Sequence, residues 1–383
     1  MRILLISAVL VALAGCVTPV PPPAEQEAVV APDADADATP ATVEAEPLPE
    51  PRDRPPAPGS VTDPAIPLEQ RKDNFVAYVA ANYGVDAGTV RAALDQAEFQ
   101  QSIVDAMGRP AEKVRTWADY RPIFMTDARI SGGQAFYREH RESLERVAAA
   151  TGVPAEYIVS IIGVETSYGR ITGNYRVLDA LYTLAFHYPK RAPFFAAELA
   201  HLFALSQEEH IDVATIKGSY AGAMGWGQFM PSSYRIWGKD GDGDGRRDLL
   251  GDTDDIFASI ANYFSDHGWV RGQPVAARAE RDPGARDLDP DSLKPRWTLA
   301  ELAKLGYVPR AGEPVPADAG ARATLVGFDG AEGREYWIGY RNFYVITRYN
   351  HSPMYAMAVH QLAQAIRGGV DADAASPTGN AGA

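Results

Sequence analysis

In the stretch AEYIVSIIGVETSYG, residues 155–169, apolar side chains cover nearly all faces of 158–164 up to Glu165. Ile158, Val159, Ile161, Ile162 and Val164 leave no polar face, which predicts a helix central to the fold. Pro154 suits the start of that helix, where its missing N–H does no harm, and Gly169 suits its end. Glu165 is the one acidic side chain between Tyr157 and Gly169. Burying a lone carboxylate as an anion is costly. The negative pole of the helix adds to the penalty, so the pKa of Glu165 is expected to rise. An acid still protonated near neutral pH suits chemistry in which a leaving oxygen needs a proton. A structural ion pair with Arg170 or Arg176 is the competing account, and Glu165 alone does not separate the two.

Outward from this helix, the pattern is helical from about residue 67 to 268. RKDNFVAYVAANYGV, TVRAALDQAEFQQSIVDAM and APFFAAELAHLFALSQ are amphipathic or apolar, and GGQAFYREHRESLERVAAATGV reads as one long helix ending at a glycine. After Trp269 the character changes. PVAARAE, RATLVGFDG and REYWIGYRNFYVITRY carry β-branched and aromatic residues divided by Asp-Gly, Glu-Gly and proline turns, with TLAELAKLGY as a helix among them. SPMYAMAVHQLAQAIRGG closes the chain as an amphipathic helix. The expected fold is mainly α, with a small β-containing subdomain over 269–345, a closing helix over 346–368 and a disordered tail over 369–383.

The N-terminus reads MRILLISAVLVALAGC, with a positive Arg2, an apolar run too short to span a bilayer, and Cys16 as the single cysteine of the chain. On these residues an ordinary signal peptide with an incidental cysteine stays open. Leu-Ala-Gly-Cys, however, resembles the bacterial lipobox, which implies a signal peptide over 1–15 and a lipidated Cys16. Val17 in the next position implies, by the same resemblance, the periplasmic face of a Gram-negative outer membrane. No second cysteine exists to form an internal disulfide. Residues 16–66, rich in Pro, Ala, Glu and Asp, are expected to form an extended tether.

Two further segments carry chemistry. KGSYAGAMGWGQFMPSSY, residues 217–234, sets glycines among aromatics around one amide, Gln228. Such glycines allow close backbone approach to a helix or to a polymer, or build a tight structural turn. DGDGDGRRDL, residues 240–249 after Lys239, spaces Asp240, Asp242 and Asp244 as positions 1, 3 and 5 of an EF-hand-like loop. Gly245 falls at position 6, the Arg246 carbonyl at 7 and Asp248 at 9. Gly251 stands where a bidentate Glu should close the loop, so the cation reading is irregular there. An acidic turn is the alternative.

GVETSYGR, GSYAGAMGWGQFMPSSY, ANYFSDHGW and RYNHSPMYAMAV, with TWADYRPIF and RAPFFAAEL before or between them, resemble in order and spacing the membrane-bound lytic murein transglycosylase B family. The resemblance spans about residues 67–367. It implies a lysozyme-like α+β core with a helical domain, over 67–268, beside the small β subdomain. It also implies an EF-hand-like loop over 240–255 closed by Asp255, with Asp254 or Asp252 as substitutes, holding a structural Ca²⁺. By the same resemblance Glu165 is the sole acid/base, cleaving between N-acetylmuramic acid and N-acetylglucosamine while the muramic acid's own C6 hydroxyl closes a 1,6-anhydro ring. Ordinary glycosidases use two carboxylates; a nucleophile supplied by the substrate makes the second unnecessary. Tyr120, Ser219, Gln228, Tyr263, Tyr349, Asn350 and Tyr355 fall on the family's groove positions, although Tyr263 or Tyr355 taken singly reads equally well as core packing. Arg191 is suited either to a stem-peptide carboxylate or to a surface ion pair.

The net charge of −14 over 383 residues argues against a general nucleic-acid binder. Expected partners are peptidoglycan glycan strands, the membrane through Cys16, and cell-wall synthesis proteins. No organic cofactor is expected. Two other functions remain open on the sequence. A muramidase-type hydrolase would need a water-activating carboxylate facing Glu165, with Asp179 or another distant Asp available for that role. A non-catalytic wall-binding lipoprotein would have little use for Glu165.

Overall fold

The computed structural model describes residues 55–108 and 115–375, with side chains up to residue 372. Cys16, the signal peptide and most of the expected tether lie outside the described residues. Among the described residues there are fifteen α-helices and six strands. The helix Ala155–Thr166 is central, as its composition requires. Ile158, Val159, Ile161 and Ile162 are fully buried, each contributing roughly 2 kcal/mol of apolar burial. It packs against the closing helix Pro353–Ala375 and the helices Asp127–Glu139, Arg141–Thr151 and Thr253–Asp266. Two polar ties pin it to the closing helix. Ser160 Oγ donates to the Val359 carbonyl at 2.7 Å, and the Tyr157 hydroxyl meets His360 Nδ1 at 2.8 Å. These ties fix the first half of the helix that carries Glu165 at its far end. A second pair, Val177–His187 and Ala192–Glu209, is apolar on almost every face and packs against itself.

A two-stranded sheet joins β1 (Tyr175–Arg176) to β2 (Lys217–Gly218). The larger sheet has β3 (Ala276–Arg281), β4 (Tyr307–Pro309), β5 (Thr324–Gly330) and β6 (Gly333–Gly339) in the antiparallel order β4-β3-β6-β5. Alternation gives it two apolar faces. Ala277, Leu325, Tyr336 and Ile338 build a small core with Leu302 and Tyr307. Ala276, Val326 and Phe328 join the main core instead, where Phe328 packs on Trp117 with ring centroids 5.0 Å apart.

Five expectations are corrected. The long helix predicted over 132–153 is two helices broken at His140, because its halves pack on different partners. Asp127–Glu139 lies on the closing helix and Arg141–Thr151 on Thr253–Asp266. RNFYVITRY is the helix Arg341–Tyr349 rather than a strand, burying Asn342, Phe343, Val345 and Ile346. The folded body begins before residue 67, since Gly59–Thr62 is helical and Ala57 and Val61 are buried. The closing helix runs to Ala375, past the expected limit at 368, because Ile366 and Val370 are still buried. The predicted helix over 89–107 is also interrupted, between Ala87–Asp95 and Gln101–Gly108.

Candidate active site

Glu165 stands in the last turn of its helix, which ends at Thr166 with Ser167 as the left-handed cap. Ser167, Tyr168 and Gly169 all have positive φ, at 50°, 65° and 78°. Two consecutive non-glycine residues in this region store strain. The helix thus stops two residues before the expected Gly169. Gly169 is needed for another reason: a Cβ there would lie 2.5 Å from the Trp226 indole. The Tyr168 hydroxyl donates to the Arg129 carbonyl at 2.6 Å and braces the turn.

Burial pushes the Glu165 carboxyl from its usual 4.5 up to about 7, opposed by a hydrogen bond from Tyr355. The Tyr355 hydroxyl donates to Oε1 at 2.5 Å. No arginine neutralises the acid among the described residues. Arg170 bonds the Ser167 carbonyl at 2.9 Å, and Arg176 pairs with Asp179 at 2.6 Å. The structural ion pair considered for Glu165 is therefore absent from the described residues, and no neighbouring carboxylate contributes to its shift.

Three tyrosines feel the charge of Glu165. Tyr120, Tyr349 and Tyr355 are all raised above the usual phenol range, first by burial and then by repulsion from that carboxylate. They remain neutral donors. The Tyr120 hydroxyl is buried with no partner among the described residues. The Tyr349 hydroxyl donates to the Gly227 carbonyl at 2.6 Å. Asn350 accepts from the Ser352 N–H at 3.2 Å, and Ser352 Oγ in turn accepts from the Tyr355 N–H at 3.3 Å. Asn350 thus shapes the turn that delivers both tyrosines. Tyr263 lies deeper: its ring packs at 4.9 Å on Tyr349 and its hydroxyl donates to the Arg348 carbonyl. It supports the Tyr349 turn from within the core.

The glycine-rich segment forms a platform against this end of the helix. Met224 bridges to both Gly218 and Phe229. A Cβ on Gly173 would come within 2.1 Å of the Gly218 carbonyl, and one on Gly218 within 2.2 Å of the Ala223 carbonyl. The glycines here let chain approach chain. Ser219 Oγ accepts from the Ala223 N–H at 3.1 Å and fixes the turn. Gln228 has a φ of 50°. Its amide donates to the carbonyls of Thr172 and Gly225, at 3.1 and 3.0 Å, which leaves its Oε1 as the available acceptor.

Beside the platform is the acidic loop. The carboxylates of Asp240, Asp242 and Asp244 converge within 4.8 Å of one another. Backbone N–H groups of Gly243, Gly245, Asp244 and Arg246 fold the loop around them. Three convergent hard oxygen donors fit a Ca²⁺ ion. Asp248 and Asp255, also expected as ligands, lie outside this group of three. Asp255 is buried and accepts from the N–H groups of Gly241 and Asp248, clasping the two ends of the loop together. Asp248 accepts from the N–H groups of Leu250 and Gly251. Asp252 caps the next helix, and Asp254 pairs with Arg146 at 2.8 Å. Arg246 rests its guanidinium on the Glu209 carbonyl at 3.3 Å.

A family model described as the transglycosylase SLT domain matches residues 68–364. The chain belongs to that family. Membrane-bound lytic murein transglycosylase B of Escherichia coli K12 is 40% identical over 302 residues, 76% of this chain and 81% of that protein. The crystal structure of the soluble lytic transglycosylase SltB1 from Pseudomonas aeruginosa is 45% identical and superposes with a TM-score of 0.73, over 78% of this chain and 99% of that one. Escherichia coli Slt35, in complex with calcium, is 37% identical with a TM-score of 0.70, over 83% of this chain and 97% of that one. This SLT-domain protein is accordingly a lytic murein transglycosylase, a lyase, with the lysozyme-like fold of its relatives.

Within the transglycosylase, sequence reasoning missed Thr166. Its hydroxyl donates to the Trp226 carbonyl at 2.9 Å and accepts from the Gly169 N–H at 3.0 Å, joining the helix end to the platform. A hydroxyl directly after the acid was the available signal. Asp179 is occupied: it accepts from Arg176 Nε at 2.8 Å and from the Glu98 N–H at 2.8 Å. Arg191 is exposed, its guanidinium 4.5 Å from the Phe194 ring centroid.

Proposed function

We propose that this transglycosylase cuts the β-1,4 bond between N-acetylmuramic acid and N-acetylglucosamine with Glu165 as its only acid/base. The carrying observation is that Glu165 is pushed to about 7 by burial, with a tyrosine and no carboxylate as its partner. Glu165, protonated, gives its proton to the bridging oxygen as the C1–O bond breaks. Tyr355, Tyr349 and Tyr120 present neutral hydroxyls around the carboxylate that this leaves behind. The C6 hydroxyl of the same muramic acid attacks C1, its proton passes to Glu165, and the 1,6-anhydro ring closes. No water is consumed and the acid is regenerated. Gln228 Oε1 is suited to accept from an acetamide N–H of the sugar.

Asp240, Asp242 and Asp244 are the residues that would hold Ca²⁺, which would supply structural cross-linking of the loop. A lipid anchor at Cys16, on the periplasmic face of the outer membrane, follows from the lipobox resemblance and is supported by the membrane-bound relative from Escherichia coli. Cys16→Ala is expected to shift the protein from the outer-membrane fraction to the soluble periplasmic fraction; retention in the membrane would refute the anchor.

Mass spectrometry of digested sacculi tests the mechanism. Products one water lighter than those of hydrolysis are expected, and reducing muramic ends without anhydro sugar would overturn it. Glu165→Gln should abolish digestion and retain binding to sacculi. Normal digestion by that variant would remove Glu165 from the acid's role.

A further inference from the structure

A second cleft, of about 1200 Å³, opens where the four-stranded sheet leans on the helical body. From the sheet it is lined by Arg278, Glu335 and Trp337, and from the helices by Tyr157, Gln361 and Gln364, with the indoles of Trp117 and Trp269 between them. Glu165, Tyr349, Tyr355 and Gln228 do not line it. Tyr157 is eight residues before Glu165 on the same helix, roughly 12 Å along its axis. The cleft is thus separate from the site of the acid.

Its chemistry is neutral and amphipathic. Arg278 is paired with Glu335 at 3.2 Å, and Arg334 at the rim with Asp329 at 2.9 Å. Arg121 is held by Gln361 Oε1 at 2.6 Å. Tyr157 shares its hydroxyl with His360 and, at 3.4 Å, with Gln364. Aromatic rings, primary amides and an already paired guanidinium–carboxylate make a surface suited to a neutral, polyhydroxylated ligand. Rings stack on the apolar face of a pyranose, and planar polar groups reach its hydroxyls and acetamide. A free stem peptide carries carboxylates, which Glu313, Glu332 and Glu335 in the lining would repel, and Arg278 and Arg334 already hold carboxylate partners.

We infer that this cleft is a second glycan-binding site, which takes N-acetylhexosamine units of a strand away from the bond being cut. This rests on the reading that the enzyme works on peptidoglycan. Held by two sites, the enzyme stays on the sacculus between cuts.

The test uses the full chain carrying Glu165→Gln, so that binding is measured without cutting. Adding Trp337→Ala and Gln364→Ala together should weaken sacculus binding by about tenfold, the loss of one good stacking contact. A second pair, Gln361→Ala with Gln364→Ala, changes only the helical wall and covers the event that the Trp337 variant fails to fold. Unchanged binding in the folded variants overturns the site. In a background with Glu165 intact, the same substitutions should leave cleavage of a short soluble glycan unaltered; a matching loss there would place these residues in catalysis and overturn a separate site.

The buried indole N–H of Trp337 has no partner among the described residues, which makes its NMR resonance a reporter of changes at this wall of the cleft. It should move on adding an oligomer of N-acetylglucosamine and stay still with free stem peptide. The reverse response would overturn the glycan assignment. Lost binding together with reducing ends on the products would sink the cleavage mechanism and leave this site standing; unchanged binding with anhydro products would do the opposite.

Discussion

Glu165 and the Asp240 loop put the same functional group into opposite states. Glu165 sits at the negative end of a helix, enclosed by apolar side chains and tyrosines, and burial holds its proton to about pH 7. Asp240 is exposed, and the backbone N–H groups of Gly245 and Gly243 hold its carboxyl below the usual range. In the proposed mechanism one carboxyl is kept protonated so that it can give a proton away. The carboxylates of the loop are instead gathered together, suited to a divalent cation. The contrast shows that surroundings assign the role, and that each role has a different failure on mutation.

The largest expected effect is on the neutral acid. Glu165→Gln should lower the rate of anhydro-sugar release by at least about a thousandfold, the scale of losing a general acid, measured on purified sacculi. The comparison breaks if an aspartate or glutamate elsewhere sustains the rate.

The second effect concerns stability. The folded-state pKa of Glu165, about 7, lies above its unexceptional 4.5, so the folded state holds a proton that the unfolded state releases. Stability from this group is full below pH 4.5 and is lost as pH rises through 7. Glu165→Gln should therefore match the wild type in thermal unfolding near pH 4 and exceed it above pH 7 by at most about 3 kcal/mol, part of the side chain facing solvent. Equal melting temperatures at pH 8 would contradict the burial argument.

Next comes the partner of the acid. The Tyr355 hydroxyl favours the anion, so Tyr355→Phe should raise the Glu165 pKa and move the alkaline limb of the pH–rate profile to higher pH. The rate at the optimum should fall about tenfold, the worth of roughly 1.4 kcal/mol for a hydrogen bond to a charged group. A limb that moves down would mean another group controls it.

The smallest effect is at the loop. At millimolar Ca²⁺, a site of the affinity usual for extracellular modules adds about 1 kcal/mol, so chelation should lower the melting temperature by a few degrees. Asp242→Asn should remove that sensitivity and leave the pH–rate limb unchanged. A calcium-independent melting temperature in the unsubstituted protein would leave the loop as an acidic turn.

Much of this site is legible in linear order because its parts are local. The apolar run before Glu165, the spacing of Asp240, Asp242 and Asp244, and the glycine-rich segment each signal their structure within a few residues. What misled lay at longer range. Nothing near His140 breaks a helix in sequence; the break follows from two packing partners more than a hundred residues away. Asp255 was expected to close the loop, and its clasp on the N–H groups of Gly241 and Asp248 depends on how the loop folds back on the next helix. RNFYVITRY has β-branched and aromatic residues suited to a strand, and burial of one helical face overrode that propensity.

The sequence by itself determined that a carboxyl would be buried at a helix end, because no arrangement of Ile158 to Val164 could leave that helix in water. It also determined that acidic side chains would crowd one short loop. Only the tertiary structure decided that Glu165 has a tyrosine for its partner, that Asp179 is spent on Arg176, and that a cleft remains open beside Trp337. Those outcomes depend on which groups meet across distant segments, and a buried polar group takes whichever partner the packing of those segments leaves within hydrogen-bond reach.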